Sequence, residues 1–190
     1  VGRIPDSLTT VFHTAAGREV RDGGGISPDK EVKSEKFPNI LFYLVNDNLI
    51  FDYATDYCLK HPSIVSVEEF KVTDEDYNEF KEKVKKADFK YDRQSEKVLK
   101  NLKEVAEFEG YMDDASEEFK ALENKLKHNL DRDLDHFAKD IKLLIAQEII
   151  KRYYYQAGAI KEQLKSDDDV EEALKILNDR PEYQKLLAGK

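Results

Sequence analysis

The 190 residues predict a mainly α-helical fold, a C-terminal helical bundle preceded by a short β-hairpin. Three observations carry this reading. Apolar residues recur at helical spacing from Pro38 to near the C-terminus, period-two alternation is confined to residues 1–36, and four of the eight glycines fall between residues 17 and 32. The expected division is residues 1–36, a hairpin and Gly-rich segment, and residues 37–190, a helical domain.

Taken in order, "SLTTVFHTAAGREV" alternates and is β-branched, with Thr10, Phe12 and Thr14 on one side and Val11 and His13 on the other, which predicts a strand. "AAG" before Arg18 signals a turn, and "REVR" returns antiparallel. "DGGGISPDKEV" follows as a flexible run, with Ser27 biased to extended backbone by Pro28 and a last short strand near Lys30–Val32. A lone hairpin is marginal in water, so this one is expected to belong to a larger sheet.

Pro38 suits the first turn of a helix, and the run to Leu59 is apolar almost all round, predicting one helix buried on more than one face. "HPS" ends it at Pro62, and "SVEEFKV" (66–72) reads as either a short strand or an irregular link. "TDEDYNEFKEKVKK" has Thr73 as N-cap, Asp76 in the capping-box position, acids in its first turn and lysines in its last. Four or five further helices are marked by Val98, Leu99, Leu102, Val105 and Ala106; by Phe119, Leu122 and Leu126; by Leu134 through Ile149; by Ile160 and Leu164; and by Val170, Ala173, Leu174 and Leu177. Such faces are expected to bury one another, and Gly110, Gly158, "SDDD" (166–169) and Pro181 to mark helix ends or starts.

Composition narrows the function. Hydrophobic residues at 40% and charged residues at 37%, with ten Tyr and ten Phe, read as a soluble globular chain. A net charge of −9 argues against a nucleic-acid partner, because phosphate contacts need clustered Lys and Arg. Cys58, the single cysteine, excludes an internal disulfide framework, a four-Cys zinc site and a redox CxxC pair. The most apolar stretch, "ILFYLVNDNLIF", is cut by Asn46, Asp47 and Asn48 well short of the ~20 residues a membrane span needs. The opening "VGRIPDSL" has neither a basic n-region nor an apolar h-region, and reads as though cut from something longer.

Chemical motifs fare poorly. The triple glycine lacks the Lys and Ser/Thr of a P-loop and reads as a loop. "DRDLDHFAKDIK" spaces its aspartates like a calcium loop, yet His136 and Lys142 stand where Gly and Glu are required, so helix-start acids are the better reading. His128 and His136 have no third zinc ligand nearby, and Ser7 and His13 lack a nucleophile-elbow context. The tyrosines of "RYYYQAG" (152–158) are expected to face the core or a partner rather than form a ligand box. No catalytic, cofactor-binding or metal-ligating residue is assigned, and no cofactor is expected.

"VFHTAAGREVRDGGGISPDKEV" resembles the strand-turn-strand segment of C-terminal processing (tail-specific) serine peptidases: an aromatic strand at Phe12, then Gly17-Arg18, Gly23 to Gly25, Ile26, Pro28-Asp29 and a short apolar strand at Val32. "EIIKRYYYQAGAIKEQLKSDDDVEEALKILND" is similar to the tail of Bacteroidetes-type members of that family. The resemblance implies a parent with a PDZ module and a Ser/Lys catalytic dyad, both upstream of the matching segment, so this chain is expected to be inactive alone. It further implies that residues 1–36 end the peptidase core and that the helical domain serves packing, oligomer contacts or capture of substrates or adaptors. The parent's protein substrates and a second copy of the chain are the implied partners, and the periplasm or cell envelope the implied location. The alternative is a free-standing helical interaction module. Whether Arg18, Asp29 and the tyrosines 153–155 are structural or touch substrate is left open by the sequence.

Overall fold

A computed structural model of the chain describes residues 4–15, 17–23, 28–33 and 37–188. The predicted extended Ser27 and Gly24–Ile26 lie outside the described residues. The chain divides into two compact units, Lys36–Lys165, and Val1–Glu35 with Ser166–Lys190.

In the smaller unit, strands β1 (Val11–His13) and β2 (Glu19–Arg21) pair antiparallel, Phe12 opposite Val20. The turn closes where the Gly17 N–H donates to the Thr14 carbonyl at 2.8 Å, and Gly17 takes φ +79°, a conformation that costs glycine nothing. Both strands are exposed throughout, so the hairpin has no buried face among the described residues. The strand expected at Lys30–Val32 is not formed; residues 28–33 are irregular. Helices α8 (Asp168–Asn178) and α9 (Arg180–Leu187) complete this unit. Each starts on a capping aspartate, Asp167 accepting the Val170 N–H and Asp179 the Glu182 N–H, with Pro181 in the first turn of α9.

The larger unit is all helical. The apolar run after Pro38 forms two helices, α1 (Asn39–Asn46) and α2 (Leu49–Lys60), rather than one. Asn48 sits between them at φ +60°, and an asparagine tolerates the left-handed region better than the flanking apolar residues could. Pro38 lies just before the first turn, at the N-cap. Ile40, Leu41, Leu44, Leu49, Ile50, Tyr53 and Ala54 are buried, whereas Phe42, Val45, Phe51 and Leu59 are exposed, so the run covers the core on one side only.

Residues 61–72 are an irregular link, one of the two readings left open, and lower Val67, Phe70 and Val72 into the core. Helix α3 (Asp74–Lys86) carries the predicted capping box: Thr73 Oγ1 accepts the Asp76 N–H at 3.1 Å and the Asp76 carboxylate accepts the Thr73 N–H at 3.0 Å. Its Tyr77 hydroxyl donates to the Leu134 carbonyl at 2.6 Å, tying α3 to α6 (Leu130–His136). Helix α7 (Ala138–Leu164) packs along α2 with Ile141, Ile145, Ile149 and Ile150 fully buried. Burial of each such side chain contributes about 1.5–3 kcal/mol.

Helices α4 (Gln94–Phe108) and α5 (Met112–Lys125) form a hairpin joined at Gly110, which takes φ +79°. Leu99, Ala106 and Phe119 make a small core between them. The expected mutual burial stops there: Val98, Leu102, Val105 and Leu122 are exposed, as are Ile160, Leu164, Leu174 and Leu177 elsewhere. Six helices, not four or five, follow α3 among the described residues, because Phe137 separates α6 from α7 and Asp179 separates α8 from α9. Gly158 does not end a helix; it is buried within α7.

Candidate functional site

The residues singled out for chemistry are dispersed. Ser7 stands in a 3-10 turn and His13 on β1, both exposed, and no hydrogen bond joins them among the described residues. Cys58 is a half-buried free thiol on α2. Among the described residues no group of three or more His, Cys, Asp or Glu is arranged to hold a metal ion.

Arg18 and Asp29 are brought together. The Arg18 guanidinium pairs with the Asp29 carboxylate, linking the start of β2 to the Pro28-Asp29 segment. Gly23 completes the close packing: a Cβ there would meet Thr9 Cγ2 at 3.3 Å, and its φ is +93°.

The tyrosines 153–155 divide. The Tyr153 hydroxyl donates to the His61 carbonyl, and the Tyr154 hydroxyl donates to the Val65 carbonyl at 3.0 Å. Lys165 extends the clasp by donating to the Val67 carbonyl and pairing with Glu162, whose side chain is buried. Tyr155 is 78% exposed, with φ +56° and ψ −159° inside α7, a combination that glycine almost alone adopts. The helix therefore breaks at Tyr155, and its second half contacts the 61–72 link through Lys161 and Lys165.

Two surfaces combine exposed apolar groups with room for a ligand or partner. On α4, Val98, Leu102 and Val105 follow one another at spacings of four and three, the seam a helix presents to a partner helix, and Leu102 is 50% exposed. Phe108, at the tip of the hairpin, is 92% exposed.

The second is a cleft of about 370 Å³ between the start of α1, the segment entering α4, and α6. Tyr91, Leu126 and Phe137 supply its apolar lining, backed by the buried Ile40, and Arg93, Lys127, Arg132 and His136 its basic groups. Asn39 Nδ2 donates to the Asp92 carbonyl at 2.9 Å, pinning α1 to the segment that carries Tyr91 and Arg93. The Tyr91 hydroxyl donates to Asp133 Oδ2 at 2.8 Å, and its ring packs against Phe89, Tyr43 and His128. Burial, and then the Asp133 carboxylate that accepts its hydrogen bond, raise the Tyr91 pKa well above the usual phenol value, so the hydroxyl stays protonated. His128 and His136 stand apart in role: His128 Nε2 lies 3.4 Å from Asp133, while His136 lines the cleft. Periodicity marks Leu126 and Phe137 in this region and not Tyr91; the i, i+4 spacing of Arg132 and His136 is the signal available for the basic groups.

A family model described as "Probable PDZ-protease, C-terminal helical domain" matches residues 40–177. Neither the curated proteins nor the solved structures contain a match to the chain.

Proposed function

This chain belongs to the C-terminal helical domain family of probable PDZ-proteases, and on that premise we propose that it is the non-catalytic C-terminal region of a carboxy-terminal processing serine endopeptidase. Its work is packing and protein contact, and the chemistry belongs to the parent's upstream Ser/Lys dyad. The match over residues 40–177 carries the reading.

One physical feature supports it. The hairpin presents Phe12, 52% exposed, and Val20 on a sheet of two strands, which is too little sheet to be stable alone. Strands of the parent's catalytic core are the complement that would cover it. The Val98–Leu102–Val105 seam is the contact surface for the parent or its protein substrates. The same reading places the parent in the periplasm or cell envelope.

The test is cleavage of an unstructured reporter with an apolar C-terminal tail. Activity is expected in a form extended upstream through the dyad, absent in this chain alone, and lowered in the extended form carrying Leu102→Asp. Cleavage by the chain alone would overturn the proposal.

A further inference from the structure

We propose that the cleft between α1, α4 and α6 binds a small organic anion: a carboxylate carried on an apolar body. The inference stands apart from the placement of the chain in a peptidase and rests on the cleft alone.

The charge argument comes first. In a chain of net charge −9, the cleft gathers three permanent cations and a histidine. Arg132 and His136 are one helical turn apart on α6 and rise from the same face. Neither the Arg132 nor the Lys127 side chain has an ion-pair partner among the described residues. Arg93 is largely buried and pairs with Glu96 through Nη2, which leaves other donors of its planar fork available. Guanidinium forks match carboxylate geometry in a two-bond arrangement that an ammonium cannot offer.

The carboxylate already in the cleft does not neutralise this set. Asp133 is turned to the Tyr91 hydroxyl at 2.8 Å and to His128 at 3.4 Å. Tyr91 is itself held by three ring neighbours, so the arrangement is built before any ligand arrives.

The apolar wall decides the rest of the ligand. Leu126, Phe137 and the Tyr91 ring, each half-buried, face the same space as the cations, and a bare inorganic ion would leave their exposed parts against water. The volume of about 370 Å³ sits at the small end of the roughly 300–1,000 Å³ typical of small-ligand sites, room for one or two side-chain-sized groups. A free small carboxylic acid and the last residue of a peptide offer the same chemistry.

The experiment is an amide-resolved NMR titration of the 190-residue chain with N-acetylated leucine and phenylalanine, with their C-terminal amides, with an unstructured peptide ending in a free leucine, and with inorganic phosphate. The acids should shift signals of α6 and of residues 91–95 saturably, and the amides should not. Arg132→Gln should weaken binding about tenfold, the worth of one charge-assisted pair, whereas Lys139→Gln, an exposed cation outside the cleft, should not. The Arg132 side chain is exposed and unpaired among the described residues, so the variant keeps its fold. Tighter binding of the peptide than of N-acetyl-leucine identifies a chain end, and equal binding a free acid; both uphold the site. Amides or phosphate binding as well as the acids, or no saturable shift from any acid, would overturn it.

Discussion

Replacing Gly158 by alanine tests the break in α7, because the two possible helix geometries predict opposite signs. A Cβ at 158 would stand 2.4 Å from Tyr154 Cβ and 2.9 Å from Ile150 Cγ2. Ordinary carbon contacts lie at about 3.5–4.0 Å, so the first overlap exceeds roughly 1 Å, and Tyr154 Cβ is fixed to the backbone and cannot rotate away. Overpacking of this kind costs about 1–3 kcal/mol, and the gain from replacing glycine by alanine in a helix returns about 1 kcal/mol. In an unbroken helix the Cβ atoms at 154 and 158 would be about 5–6 Å apart and only the gain would remain. Tyr155→Gly supplies the reciprocal test: at φ +56° glycine relieves about 1–3 kcal/mol of strain, while in a continuous helix it costs about 1 kcal/mol. Urea unfolding followed by circular dichroism should show Gly158→Ala less stable and Tyr155→Gly more stable than the parent sequence. The reverse pair of signs would refute the break.

Three further outcomes are expected. Tyr77→Phe strands the buried Leu134 carbonyl and should cost about 1–2 kcal/mol in urea unfolding; a neutral effect would mean the hydrogen bond between α3 and α6 is not formed. Thr73→Ala removes the capping box of α3 and should cost about 1 kcal/mol, with Thr73→Ser restoring most of it. Burial first, and then nearby carboxylates, raise the hydroxyls of Tyr53 and Tyr77 well above the ordinary phenol value of 10.0. A folded pKa above the unfolded one gives stability that is complete below pH 10 and lost as pH rises beyond it, with phenolic protons released on unfolding. The urea midpoint should therefore fall above pH 10, and Tyr77→Phe should flatten part of that fall; an unchanged slope would remove Tyr77 from the account.

Much of the architecture was legible because its causes are local. Thr73 and Asp167 accept hydrogen bonds from N–H groups three positions on, and Pro181 fixes its own φ in the first turn, so the starts of α3, α8 and α9 follow from short strings. Ile141, Ile145 and Ile149 repeat at the helical period and are buried as that period requires. The hairpin was announced by alternation around a glycine that takes positive φ. The division between α1 and α2 has a local signal, the polar Asn46-Asp47-Asn48, which ends the helix as well as the apolar run.

The break at Tyr155 had no such signal, since nothing in "KRYYYQAG" stops a helix before Gly158. Its anchors are hydrogen bonds to His61 and Val65, each about ninety positions away in the chain. The cleft is equally nonlocal, with Asn39 holding Asp92 and Tyr91 holding Asp133.

From its residues alone this chain is a capped, amphipathic helical domain behind a short hairpin, because periodicity, capping and turn preference act within a few bonds of their source. Which apolar faces stay open, where the longest helix turns, and which cations share a cleft with an apolar wall were decided only by tertiary structure. Those outcomes depend on which distant segments meet, and contacts across forty to ninety residues leave no pattern in any short stretch of sequence.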